Sequence, residues 1–556
     1  MSGWKRKATG SAPRRGPKMR DSNVRLTQAL GVILCGLLAS HSGCRRHEAA
    51  ALKPPAQILR LSHRNEPADL DPALVTLPDE FFIIRALSEG LVLPAPGGGQ
   101  QPAAATRWEI SPDGLVYTFH LRPAAQWSNG EPVTAVDFVE SYRRVLTPAT
   151  AAPKASLFFA VKNARAFLAG QIADFSAVGL RAVDPRTLVV TLERPTPDFL
   201  AYVASGPWIP VNPRVVARHG RKWTSPDHFV GNGPFNLAEW RPHQRIIVRK
   251  NPLYAEAARV RLAEIDFIAF DNSDAEERAY RAGQLDLTMA VPNAKLETYA
   301  RERPAELHHA PIAETRYLTF NTRHAPLDDS RVCRALALAL DRTRIVERVL
   351  LGGQEPAFRL VPLFLRAAAD REPRLNGQLG EDPAEARRLL AAAGFPAGRG
   401  FPRLELTSWY QTPVLEAVQA MWKKELGVHV SIAIRDAKVH VAALREGNYD
   451  IGFITAIPDA ADALNILGEF TTDASGNYPH WSDPGYDALL AEAGRTASPG
   501  QRAARARAAE ARIIEACPVA PLYFNARNWL MSPRVRGWQE DALWTRFYRD
   551  VCLQEN

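Results

Sequence analysis

Residues Trp108 to Pro148 read WEISPDGLVYTFHLRPAAQWSNGEPVTAVDFVESYRRVLTP, and this stretch decides the fold. Asp113-Gly114 supplies a tight turn, because glycine takes a positive φ at no steric cost. Beyond it, Tyr117, Phe119 and Leu121 alternate with Val116, Thr118 and His120, the period of a strand with one heavily apolar face. Trp127-Ser128-Asn129-Gly130 makes a second turn. Thr134 stands as the N-cap of a helix with Phe138, Val139, Tyr142 and Val145 on one side. The local reading is hairpin, turn, helix.

The surrounding chain has 556 residues, too many for one core, and predicts two or three domains. Its hydrophobic share of 46% and aromatic share of 8% are those of a globular protein. A formal charge of +9 invites a nucleic-acid partner, but the charge is unevenly placed. Eight basic residues from Lys5 to Arg25 face the single acid Asp21 before residue 44, so +7 sits in that segment and the body is nearly neutral. No phosphate-tracking surface is implied, and no nucleic acid is expected as a partner.

After the basic segment comes the apolar run Ala29–Ala39, too short to span a bilayer but suited to a signal-peptide core. Ser42-Gly43-Cys44 follows, small residues before a cysteine, and resembles the lipobox of bacterial lipoproteins; His41 stands where an aliphatic is usual. Residues 1–43 are read as the signal, with Cys44 acylated, or alternatively as an ordinary secretion signal; Met19 is an alternative start to Met1. Residues 44–55 read as a polar leash. The result is a tether rather than a span. Cys517 and Cys552 form a disulfide or stay buried free thiols with Cys333. His308-His309 are poor chelators, since neighbours on a strand point to opposite faces. No cofactor or metal is expected.

The opening stretch resembles the signature of the peptide- and nickel-binding family 5 extracytoplasmic solute-binding proteins, the receptors of oligopeptide and dipeptide ABC importers. That pattern is roughly W-x-x-S-x-D-G-x-x-Y-T-F-x-L-R, then W-S-D-G-x-P-x-T-A-x-D-F, with Asn129 the one departure in the second half. Leu70-Asp71-Pro72, Glu89-Gly90-Leu91, Gly231-Asn232-Gly233-Pro234-Phe235, Asn251-Pro252-Leu253-Tyr254, Tyr280–Asp286 and Phe320-Asn321 through Arg342 resemble further family elements. Cys333 stands where arginine is usual. These matches are architectural: turns, caps and helix faces.

The resemblance implies an α/β bilobal periplasmic-binding-protein fold with a smaller extra domain. Lobe one is expected at 56–98, 206–308 and 521–556, the extra domain at 99–205, and lobe two at 309–520. Within lobe two, Val414, Val418, Met421 and Trp422 repeat at helical spacing and read as core, and Gln501–Ala516 reads as a solvated amphipathic helix.

The resemblance further implies capture of short peptides between the lobes by main-chain hydrogen bonds and a carboxylate for the α-amino group, by a lipid-anchored monomer at the outer face of the cytoplasmic membrane or in the periplasm, for delivery to ABC permease and ATPase subunits. Following the strand Asn448–Ile454, the matching carboxylate is Asp459, with Asp462 as the fallback. Ala456, Ile457, Asn477, His480, Trp481 and Tyr523 are expected around the ligand, with Tyr478 and Phe524 nearby. Ala437 and Ala456 stand where tryptophans are common, and Phe453 where a basic residue often meets a peptide carboxylate; Arg445 is the nearest alternative cation. Enzyme readings lack support: there is no G-x-S-x-G elbow, P-loop, H-E-x-x-H or glycine fingerprint. The competing expectation is a membrane-tethered sensor or scaffold of the same fold that binds a non-peptide or modified-peptide ligand.

Overall fold

In the computed structural model, residues 57–95, 99–365, 379–496 and 498–554 are described. The expected signal, leash and Cys44 lie outside them. Among the described residues no helix is long and apolar enough to cross a membrane.

The signature hairpin forms as its alternation requires. Strands Ala105–Ile110 and Val116–Leu121 pair antiparallel across Gly114, whose φ is +70°. Tyr117, Phe119 and Leu121 are buried while their neighbours are half-exposed. Thr187–Thr191 and Leu180–Asp184 complete a four-stranded sheet. Helix Ala135–Leu146 packs over it and starts after Thr134, as its cap predicts. The Asp137 carboxylate accepts from the Thr134 amide at 2.8 Å and from the buried Trp127 indole at 3.2 Å. The tryptophan and aspartate of the signature are therefore one structural unit. Phe138, Tyr142, Phe158 and Trp208 fill this core, the last two stacked at 4.1 Å.

A second sheet orders Ile58–His63, Glu264–Ala269, Arg245–Lys250 and Phe235–Arg241, with its first pair parallel and the others antiparallel. A third has six strands in the order Glu355–Pro356, Val519–Leu530, Leu307–Phe320, Ile451–Ala456, Leu404–Ser408 and Val430–Ile434. Its last three strands run parallel. Helix Pro413–Leu426 buries Val414, Val418 and Trp422 against this sheet, and Gly427 closes it at φ +70°.

The fold is thus the bilobal α/β architecture with an additional sheet. Strands Leu307–Phe320 and Val519–Leu530 pass from one core to another. Leu530 packs with Tyr280 and Leu285, whereas Leu318, Leu522 and Tyr523 belong to the large core of the six-stranded sheet. The dividing lines expected at 308/309 and 520/521 fall inside these two strands.

Cys333, Cys517 and Cys552 are free and buried. Helix Pro499–Ala516 is amphipathic, with an exposed face and a buried one, but two of its charged side chains are engaged elsewhere. Its Glu510 is buried and accepts from the amides of Leu360 and Val361, and its Arg502 is held between two aspartates. Periodicity identified the apolar stripe (Ala506, Ala509, Ile513) but not which charged side chains had partners elsewhere.

Candidate functional site

Strand Ile451–Ala456 lies between Leu307–Phe320 and the parallel strand Leu404–Ser408. Open α/β sheets take ligands beyond the carboxyl ends of such strands, and residues 457–462 leave from there. The strand is pinned at its start by side chains of the matched motifs. Asn321 Nδ2 donates to the carbonyls of Gly447 and Tyr449 at 2.8 Å, and Asp450 accepts from the Glu405 amide at 3.0 Å.

Asp459 follows as expected, its amide donating to Asn465 Oδ1 at 2.6 Å. Its carboxylate, about a third exposed, forms an ion pair with Lys154, the residue before the short helix Ala155–Phe158 in the 99–205 segment. The pair joins two elements 305 residues apart. Half-buried Glu469 lies near enough to feel both charges. Burial first, and the Asp459 carboxylate second, push its pKa up to about 8, with Lys154 opposing.

Three residues on, Asp462 has a different task. It caps helix Ala463–Leu467, accepting from the Leu464 amide at 3.1 Å. It is also paired with Arg502 Nη2 at 2.8 Å, and the same guanidinium reaches Asp198. Asp198 is raised by burial and then by Asp462, with Arg502 holding it back. Behind this bridge lies a cavity of about 210 Å³ lined in part by Asp198, Asp462, Leu464, Arg502 and Glu510.

The other expected residues are distributed as follows. Ala456 is fully buried opposite Thr315, and Ile457 is half-buried just before the Asp459 loop. Asn477, His480 and Trp481 lie on one loop with internal hydrogen bonds. Asn477 Nδ2 donates to the Trp481 carbonyl at 2.8 Å, and its Oδ1 accepts from the Trp481 amide at 3.2 Å. His480 Nε2 meets the Leu444 carbonyl at 3.2 Å, and the Trp481 ring packs edge-on against Tyr486. Tyr523 and Phe524 are buried. Arg445 is exposed on the last turn of helix Ala437–Glu446 and bonds to the Tyr478 hydroxyl.

Over Phe453, where a cation was sought, the structure places Arg316. Its guanidinium carbon lies 5.9 Å from the Phe453 ring centre, 5.1 Å from that of Trp409 and 5.5 Å from that of Tyr410. Its Nη2 pairs with buried Glu314 at 2.5 Å. Sequence reasoning missed Arg316, Lys154 and Arg502. The first had a signal in Glu314-x-Arg316, opposite charges two apart on one strand face. The second had one as the lone charge in an otherwise uncharged run.

Among the described residues, no group of three or more metal-ligating side chains occurs. His309 Nδ1 instead meets Asn528 at 3.0 Å, and His308 stacks on Trp529.

The profile of the bacterial extracellular solute-binding proteins, family 5 middle region, matches residues 99–478. The chain belongs to this family. It is 36% identical over 491 residues to the probable deoxycholate-binding periplasmic protein YgiS of Escherichia coli, covering 87% of this chain and 91% of that one. It is 32% identical to the periplasmic murein peptide-binding protein MppA of Escherichia coli, over 94% of this chain and 99% of the relative. A structure of MppA superposes with a TM-score of 0.81 at 31% identity, covering 90% and 99%; its unliganded open form gives 0.70, covering 90% and 98%. The Haemophilus influenzae OppA complex with RPPGFSPFR gives 0.79 at 28% identity, covering 90% and 99%. Family members are substrate-binding proteins, and the named relatives YgiS and MppA are periplasmic.

Proposed function

We propose that this protein is the extracytoplasmic substrate-binding component of a peptide ABC importer. It captures short peptides between its lobes and hands them to permease and ATPase subunits. The observation that carries the reading is the Asp459–Lys154 pair: a partly exposed carboxylate just beyond the end of the parallel strands, engaged with an ammonium from the 99–205 segment. A peptide's α-ammonium is the same chemical group, and Asp459 is its anchor once Lys154 gives way. The names of MppA and OppA support this reading. The proposal includes lobe edges near 56–98, 206–308 and 521–556 for lobe one and 309–520 for lobe two, with 99–205 as the extra domain. It also includes a monomeric state and a lipid anchor at Cys44, which Cys44→Ser would abolish, leaving the protein out of the detergent phase.

Small-angle scattering with trialanine tests capture: closure of two lobes on ligand lowers the radius of gyration. A profile unchanged at saturating peptide contradicts a closing receptor and favours a rigid scaffold.

A second reading rests on the same pair. With Lys154 neutralising Asp459, a carboxylic acid without an amine also fits, and YgiS carries a name of that kind. Titration with deoxycholate beside trialanine separates the two.

A further inference from the structure

We propose that Arg316 receives the carboxylate of the ligand. The inference rests on the peptide reading above and adds the residue that reads the acidic end.

Three observations bring Arg316 to this role. The first is location. Arg316 pairs in register with Thr455, one residue before the end of strand Ile451–Ala456. Its guanidinium lies under Trp409 and Tyr410, which follow immediately on strand Leu404–Ser408. Both parallel strands end here, on the side where Asp459 emerges. Trp409 and Tyr410 are only half-buried, so they form a cover rather than a sealed core.

The second observation is unmet donor capacity. Nη2 is engaged with Glu314, but Nε and Nη1 are buried and have no protein acceptor. A guanidinium has five N–H donors in a rigid planar fork, and buried donors without partners are unfavourable. A ligand carboxylate oxygen that accepts from Nη1 supplies one of the missing charge-assisted bonds with good geometry.

The third is preorganisation. The rings of Trp409, Tyr410 and Phe453 surround the cation within 6 Å of their centres, a cation–π arrangement that fixes its plane. Tyr410 and Tyr523 hydrogen-bond to each other beside it. Glu314 is itself braced by the Thr455 hydroxyl at 3.2 Å and holds one edge of the fork. The cationic end is thus set before ligand arrives, which lowers the cost of ordering it. Arg445 bonds to Tyr478 on an exposed turn and has none of this cradle.

The experiment is calorimetric titration of trialanine and trialaninamide, which differ only in the terminal carboxylate, on four proteins: wild type, Arg316→Met, the double variant Glu314→Gln/Arg316→Met, and Arg445→Met. The double variant removes both charges of the buried pair, so folding does not depend on an uncompensated Glu314. Wild type is expected to bind the acid at least tenfold tighter than the amide. Both Arg316 variants should reduce that preference to about onefold and leave amide affinity within a factor of two, while Arg445→Met keeps the wild-type ratio. If the double variant retains the preference, or Arg445→Met removes it, the assignment to Arg316 is wrong. Failure of wild type to bind either peptide would instead overturn the peptide reading, and this inference with it.

Discussion

Asp459 and Asp462 sit three residues apart, and each pairs with a cation outside its own loop, yet the two pairs are built differently. Asp462 is buried, caps a helix and shares a guanidinium with Asp198. All its bonds come from this chain, and none can leave without stranding buried charge. Asp459 is a third exposed and holds one side-chain partner, a primary ammonium on a flexible stem. Lysine is a point charge with little geometric demand, whereas arginine locks into a fork. On the proposed reading, the difference teaches that an exchanging carboxylate is paired with a flexible point charge, and a structural one with a rigid fork.

The largest expected effect breaks this comparison most sharply. Asp459→Asn leaves a ligand ammonium without its counter-charge, a loss of about 2–5 kcal/mol for a buried pair, or roughly 30- to several-thousand-fold in affinity. Trialanine titrated against the variant measures it. Asp462→Asn should leave affinity within about twofold but lower unfolding stability by roughly 1–3 kcal/mol, since the amide still caps the helix but the charge of a buried bridge to Arg502 is lost. Denaturant melts of the two variants check that the effects are exchanged.

Lys154→Met sharpens the comparison from the cation's side. It removes an internal competitor whose partly exposed pair is worth about 1 kcal/mol, so free-amine peptides should bind about fivefold tighter. Weaker binding would mean that Lys154 itself contacts the ligand.

The smallest effect is in pH. Glu469, pushed by burial from 4.5 up to about 8, binds more protons folded than unfolded between those values. Stability on its account therefore falls as pH rises through that window. Glu469→Gln should flatten the decline in melting temperature between about pH 4.5 and 8. An identical slope in the variant would place the titration elsewhere, for example at buried Glu89, raised to about 7 chiefly by burial.

What the sequence showed depended on sequence separation. The hairpin at Gly114, the cap at Thr134 and the stripe on Pro413–Leu426 are local, so alternation, turn chemistry and helical spacing revealed them. Asp459 was singled out because the family resemblance puts a carboxylate at a fixed distance after the motif strand; its role is the proposal made above. Lys154 and Arg502 were not, because Asp459 and Asp198 lie about 300 residues from them and no periodicity encodes so distant a contact. Asn477, His480 and Trp481 were expected to line a wall because they fall on the loop that the resemblance matches after the aspartate. Their donors and acceptors are largely used within their own loop and by the Leu444 carbonyl, which the sequence does not reveal.

The central claim is that Asp459 is the receptor for a ligand ammonium. The measurement that tests it most directly is a cycle pairing wild type and Asp459→Asn with trialanine and N-acetyl-trialanine. The account predicts that acetylation weakens binding to wild type by at least thirtyfold and that the mutation then costs the acetylated peptide almost nothing, a strong departure from additivity. If Asp459→Asn weakens both peptides equally, or neither, Asp459 does not read the amine.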